Sequence, residues 1–307
     1  MRLNPIIRII LFSLAIVVLS GMLLAGIGAT LFSVQNNRAD TFAEMIQTNV
    51  DSESLPSQGT SGQANVTDAA NRFNASDISE IEVNWISGTI SIGSGSNSDQ
   101  IIVSESPVSG EDYKMVCRRE GDKLIIDFCK KKNNFGINIP LSKDLVIELP
   151  ANWNCDSIDL ETASADIFVT DLTVRELDVE SASGKCEIVS SEIGKLDLDT
   201  ASGDIYFDGS VTNLELDAAS ANCQFIISNF PKSLRFEMAS GDVELILPDD
   251  QGFTCNVDTL SGSIHNHYAE HHKKGSYTHG DGSCRIEINA VSGDVTIMPH
   301  HLHKGHH

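Results

Sequence analysis

Along the second half of the chain, hydrophobic and polar residues alternate with period two, and the parity of the alternation flips at regular intervals. In LDLDTASGDIYF, Leu196 to Phe207, the apolar residues before Ala-Ser-Gly stand on even positions and those after it on odd positions. Strict alternation predicts a strand with one face inward. A strand that changes the parity it buries must bend or bulge, and a glycine at the flip supplies the backbone freedom for a corner.

Taking the serine of each copy as position zero aligns Ser87, Ser164, Ser183, Ser202, Ser220, Ser240, Ser261 and Ser292. From Ser164 onward the spacings are 19, 19, 18, 20, 21 and 31 residues, the self-similarity of a repeat architecture. Six and four positions before the serine the columns are apolar, as in Ile158 and Leu160 or Leu177 and Val179; three and five positions after it they are apolar again, as in Ile167 and Val169 or Val243 and Leu245. No single unit can bury its own inward face, so the units must stack and the stack is the core. The predicted structural corners are Ser87-Gly88, Ser183-Gly184, Ser202-Gly203, Ser240-Gly241, Ser261-Gly262 and Ser292-Gly293, with Ala165 and Ala221 replacing the glycine in two copies. Asp166, Asp204, Asp242 and Asp294 follow the corner, where a short carboxylate can accept a backbone N–H and hold the turn. The expected fold is all-β, a solenoid-like stack of two-strand repeats with Ser-Gly corners, preceded by one N-terminal transmembrane helix.

That helix is read from Ile9 to Val34, 26 residues without a charge. At about 1.5 Å rise per residue such a run crosses a hydrocarbon layer of roughly 30 Å. Arg2 and Arg8 precede it, so the positive-inside tendency places residues 1–8 in the cytoplasm and the rest outside. A cleaved signal peptide competes with this reading, but the run exceeds the usual apolar region of about 7–15 residues. Residues 35–75 are rich in Asn, Ser, Thr, Gln, Asp and Gly and read as a polar flexible stalk. The repeat domain is expected over 76–298 and a His-rich tail over 299–307. Between the first repeat and Ser164 lie a strand at Ile101–Ser104, a hairpin from Tyr113 to Phe128 turning at Glu120-Gly121-Asp122, and a strand at Leu145–Leu149.

Removing Arg2 and Arg8 from the formal charge of −22 leaves −24 on the remainder. Nucleic acid calls for a basic footprint and is excluded as a partner on that ground. Cations, basic proteins and neutral glycans remain. Three positions before the corner serine stand Glu161, Glu180, Asp199, Asp217, Glu237 and Asp258; five before it stand Asp159, Asp178, Asp197 and Glu215. Parallel stacking would set column neighbours about 4.7–4.9 Å apart. The column is therefore a candidate cation or partner surface, with Ca²⁺ as the oxygen-liganded ion; a wet outer face that blunts aggregation is the plainer alternative. Arg235 interrupts the outer column as a pairing residue or, in a polysaccharide-active β-helix enzyme, as a base.

All ten histidines lie after residue 264. His265, His267, His271, His272, His300, His301 and His303 are candidate Zn²⁺ ligands, without the spacing of a defined zinc module. Seven cysteines, Cys117, Cys129, Cys155, Cys186, Cys223, Cys255 and Cys284, do not read as a closed disulfide framework, and Cys186, Cys223 and Cys255 occupy core columns. No nucleophile elbow, phosphate loop or zinc-protease helix is present in the sequence, so the expected protein is not an enzyme.

The apolar N-terminal run, the polar stalk, the first unit IEVNWISGTISI, the LVIELP strand and the serial LDVESASGKCEI and LDLDTASGDIYF units together resemble the bacterial Toastrack, or putative-adhesin, domain family. The resemblance covers roughly Phe73 to Met298. It implies a β-repeat structure in the bacterial cell envelope, associated with envelope stress in membrane-anchored members, and an envelope protein or glycan as partner. It carries over no catalytic residues. The expected protein is thus a single-pass membrane-tethered, extracytoplasmic binding domain, with a divalent-metal module and a polysaccharide-active enzyme as alternatives.

Overall fold

The computed structural model describes residues 70–96, 98–107, 113–129, 142–151, 153, 155–268, 271–273 and 275–303. The predicted cytoplasmic N-terminus 1–8, the membrane span 9–34, the stalk up to residue 69 and tail residues 304–307 lie outside the described residues. Among the described residues no helix is long and apolar enough to cross a membrane.

In chain order the strands are β1 (Asn71–Asn74), β2 (Glu80–Ser96), β3 (Gln100–Ser106), β4 (Val116–Glu120), β5 (Lys123–Asp127), β6 (Lys143–Pro150), β7 (Cys155–Thr170), β8 (Thr173–Ser181), β9 (Cys186–Ser202) and β10 (Ile205–Ser220). They continue as β11 (Cys223–Ile227), β12 (Ser233–Ser240), β13 (Val243–Leu247), β14 (Phe253–Ser261), β15 (Ile264–Asn266), β16 (His271–Lys273), β17 (Ser276–His279), β18 (Cys284–Ser292) and β19 (Val295–Pro299). A four-residue helix, His300–His303, follows. All belong to one hydrogen-bonded sheet, which the corners fold into two leaves.

Strand segments before a corner pair in parallel with their counterparts in neighbouring coils, and segments after it do the same. Thus Leu177 faces Leu196 and Leu196 faces Leu214 in the first leaf, while Cys186 faces Ile205 and Ile205 faces Cys223 in the second. The parity flip does what the alternation predicts: both leaves turn their apolar columns to one shared interior. Phe225 of the second leaf meets Phe236 of the first edge-to-face at 5.2 Å between centroids. The return corner is made by Asp171 and Ser190, both with positive φ, and by a register shift between Asp208 and Gly209.

The corner glycines are required twice over. Gly88, Gly184, Gly203, Gly241, Gly262 and Gly293 all have positive φ between 108° and 141°, where a side chain is strained. A Cβ on Gly203 would also lie 2.0 Å from the carbonyl oxygen of Gly184 in the next coil. The corner serines stack alongside: Ser164, Ser183 and Ser202 each aim the hydroxyl at a carbonyl oxygen of the preceding coil, at 3.4 Å. Three of the four aspartates after the corner accept backbone N–H groups, but from the neighbouring coil rather than their own turn, and Asp204 accepts from the Asn222 side chain of the next coil. Asp166 accepts from Lys185 at 2.8 Å, Asp242 from Asp294 at 2.8 Å and Asp294 from Ser263 at 2.7 Å. They form a ladder that locks coil to coil.

Coil order in space departs from order in sequence at both ends. β2 lies between β7 on one side and β5 and β6 on the other. At the far end β18 lies between β12 and β14, and β19 between β13 and β15. The first outer edge carries the predicted hairpin, β4 on β5, with Gly121 at its turn. β1 pairs with β3, so the sheet reaches into the segment read as stalk. The last edge carries the His-rich insertion, folded as a β16–β17 hairpin on β14.

Candidate functional site

The first leaf exposes two columns of charge on its outer face. Five positions before the corner the stacked residues run Glu82, Asp159, Asp178, Asp197, Glu215, Arg235, Glu287. Three positions before it they run Asn84, Glu161, Glu180, Asp199, Asp217, Glu237, Asn289, Asp258. Five of the six residues predicted for this surface, Glu161, Glu180, Asp199, Asp217 and Glu237, are consecutive neighbours. Asp258 is not one of them: β18 enters between β12 and β14 and places Asn289 against Glu237. Sequence order hides that insertion, which is a property of chain return and not of any column.

Among the described residues four cations relieve the ridge at separate points, Arg285 among them at 3.3 Å from Glu287. Lys123 reaches Glu80 and Glu82 at 3.4 Å and Asp159 at 3.7 Å. Lys195 reaches Glu176 at 2.9 Å and Asp197 at 3.2 Å. Arg235 bridges Glu215 and Glu237. It is a pairing residue committed to two carboxylates, and the geometry gives it no role as a base.

Between Lys195 and Arg235, the carboxyls of Asp199 and Asp217 make no ion pair with either cation. Asp217 is 6% exposed and Glu237 5% exposed, and Oδ1 of Asp199, Oδ1 of Asp217 and Oε2 of Glu237 are buried without a hydrogen-bond partner. Burial, then the charges of Glu237 and Asp199, push the Asp217 carboxyl up to about 7. Burial and Asp197 raise Asp178 to about 7, and the same two causes raise Asp199 to about 6. Burial also raises Asp159 and Glu161 above the usual carboxylate range. These carboxyls disfavour their charged form because water is thin around them and like charges flank them.

Among the described residues no three His, Cys, Asp or Glu side chains converge to hold a metal ion. Ca²⁺ takes 6–8 oxygens; the unpartnered ridge oxygens are buried one per coil in a line, which does not fit it. Zn²⁺ fits no better. His265 stands exposed on edge strand β15 and His267 in the turn after it. His271 and His272 lie in β16, while His300, His301 and His303 sit in the terminal helix, with His301 Nδ1 3.1 Å from Asp249. His279, not singled out from sequence, packs against Phe253 and Tyr268 at 5.7 and 4.8 Å between ring centroids. Of the seven cysteines, Cys155, Cys186, Cys223, Cys255 and Cys284 are buried, and Cys117 and Cys129 are half-buried. Burial pushes the thiols of Cys117, Cys155, Cys186, Cys255 and Cys284 up to about 12, as befits inert core groups rather than nucleophiles. A shallow polar groove of about 520 Å³ crosses the outer face of the second leaf, past Tyr206, Gln224, Glu244, Thr296 and His265.

Solved structures similar to the chain include a putative cell adhesion protein from Clostridium sporogenes, at 12% identity over 76% of this chain and 100% of that one, with a TM-score of 0.30. A putative adhesin from Bacteroides fragilis aligns at 15% identity over 78% of this chain and 100% of that one, with a TM-score of 0.43. A putative lipid binding protein from Parabacteroides distasonis aligns at 14% identity over 76% and 97% of the two chains, with a TM-score of 0.41. No curated protein matches. The family model described as Toastrack DUF4097 matches residues 76–298, which span the corners, both leaves and the acidic ridge, and the chain belongs to that family.

Proposed function

We propose that the chain is a membrane-tethered, extracytoplasmic binding domain of the bacterial envelope, without catalytic activity, whose acidic ridge recognises a basic segment of an envelope partner. The observation that carries this reading is the run of five consecutive coils, β7 to β12, that presents carboxylates in two columns, relieved by Lys195 and Arg235 from within the run and by Lys123 from β5. Such a single-sign stripe steers an oppositely charged partner and sets its register. The tether rests on the uncharged run Ile9–Val34. A role in envelope-stress sensing is consistent with a domain held outside the membrane.

The test is binding of the full-length chain, in a mild non-ionic detergent, to a lysine-rich peptide across a salt series. A triple variant, Glu161→Gln, Asp178→Asn and Glu180→Gln, removes three ridge carboxyls without changing side-chain size, and binding is read at pH 8, above the raised Asp178 value of about 7. Loss of at least tenfold in affinity, with a shallower salt dependence, is expected; equal binding by the variant would refute the ridge as the recognition surface. Cell fractionation addresses the tether separately, where release as a shortened soluble form would overturn it.

A further inference from the structure

We infer that Asp199 and Asp217 form a proton-binding pair, in which the two carboxyls share a single proton. The two residues are register partners on adjacent parallel strands, β9 and β10. Each has one carboxylate oxygen, Oδ1, that is buried and has no hydrogen-bond partner. A carboxylate can only accept, so two carboxylates on neighbouring strands cannot satisfy each other; one proton turns one of them into a donor. A buried acceptor left unsatisfied is costly, more so for a charged group, so uptake of that proton from solvent is favoured. It forms one O–H bond, breaks none in the protein and leaves the pair with a single negative charge.

The surroundings favour the same outcome. Asp217 faces Asp199 on one side and Glu237 on the other, with Glu215 on its own strand; Arg235 is the one cation near it, and that is engaged by Glu215 and Glu237. Asp199 faces Glu180 from β8, with Asp197 on its own strand and Glu215 nearby on β10. Lys195, the cation nearest in sequence, is engaged by Glu176 and Asp197. Both carboxyls accordingly titrate well above the usual range, upward by burial first and by like charge second. Macroscopic steps of such a pair belong to both residues together. The pair stands whether or not a basic partner docks on the ridge.

Infrared spectroscopy of the full-length chain in a mild non-ionic detergent at pH 6.5 tests this through the carbonyl stretch of protonated carboxyl groups. Asp199→Asn and Asp217→Asn are each expected to remove the same one carboxyl's worth of this band, and the double variant to remove no more than either alone. Glu192→Gln, at an exposed position away from the ridge, is expected to leave the band intact. Two results would overturn the pair: a band that neither single variant diminishes, or a double variant that loses twice the single loss, which means two independent protons. Either variant alone reads the shared proton, so a folding defect in one leaves the other decisive.

Discussion

Alanine at Gly203 separates two effects that every Ser-Gly corner combines. Gly203 has φ +130°, and a Cβ there would approach the Gly184 carbonyl oxygen to 2.0 Å and its carbon to 2.9 Å. Gly95 has nearly the same φ, +134°, but a Cβ there meets nothing within 4 Å. Holding a non-glycine residue at such a φ costs roughly 1–3 kcal/mol, and Gly95→Ala carries that cost alone. Gly203→Ala must also move the two coils apart by more than 1 Å at the corner to reach an ordinary contact distance of about 3.4 Å. That opening strains the bonds joining these two coils beside the corner, from the Ser202 hydroxyl to the Ala182 carbonyl at 3.4 Å and from the Cys186 N–H to the Asp204 carbonyl at 3.0 Å, at about 1 kcal/mol per bond lost. Gly203→Ala is therefore expected to destabilise the domain by about 2–4 kcal/mol, and by at least 1 kcal/mol more than Gly95→Ala, in urea unfolding followed by circular dichroism. Equal losses would refute the close-approach argument and leave backbone conformation as the whole reason for glycine. The chain supplies an internal comparison. Ala165 and Ala221 occupy the same corner position without positive φ, and Ala165 donates its N–H to Thr162 Oγ1 at 3.0 Å, so an alanine corner exists but with a different local backbone.

Other consequences can be read from single substitutions. Phe225→Ala, which removes ring contacts to Phe207 and Phe236, should cost about 3–5 kcal/mol in the same unfolding assay, and a loss below 1 kcal/mol would mean that the leaves do not pack face to face there. Glu105→Gln strips the carboxylate from Lys143, whose Nζ is wholly buried and 2.5 Å from it; a loss of about 3 kcal/mol is expected, and an unchanged midpoint would show that the Tyr113 and Phe128 carbonyls suffice for the ammonium. Asp217 has a folded pKa of about 7, raised above 3.8, so its charged form penalises the native state above about pH 7 and the penalty disappears as pH falls towards 4. Stability should thus rise on acidification from pH 8 to pH 5, and Asp217→Asn should raise the pH 8 unfolding midpoint by an amount worth about 1–3 kcal/mol while flattening the slope; an unaltered slope would contradict the shift.

Much of this architecture was legible because each repeat column has one chemical character. The apolar columns and the parity flip gave both leaves, the corner and the inward placement of Cys186, Cys223 and Cys255, and those cysteines are buried. Pairing order at the two ends was not legible, because β18 carries the same column chemistry as β14 and either could lie next to β12. For that reason Asp258 was placed one coil too near Glu237. The aspartates after the corner were read as holding their own turns, since short-range turn chemistry is what a single unit displays; the ladder they form exists only once coils stack. The orphan oxygens of Asp199 and Asp217 were invisible for a similar reason. Alternation says that a residue points outward, but not that five coils of outward acids crowd one another out of water.

The two polar columns of this solenoid make opposite use of the same stacking. After the corner each acid accepts from the neighbouring coil, Asp166 from the Lys185 N–H, Asp204 from the Asn222 side chain, Asp242 from the Asp294 N–H and Asp294 from the Ser263 N–H, while Asp242 donates its own N–H to Asn222. Folding alone explains that column, because every member contributes a bond between coils. Before the corner, Glu161, Glu180, Asp199, Asp217 and Glu237 follow one another with no intervening donor. Like charges at about 4.8 Å repel by nearly 1 kcal/mol per pair even in water, and more where burial thins the solvent. An asparagine at any of these positions would remove that repulsion and could bond along the stack, as Asn222 does. The ridge therefore works against the stability of the repeat that carries it. A binding role of the kind proposed would offset that cost, and the contrast between two columns of one chain favours the ridge over the groove and the histidines as the face that binds.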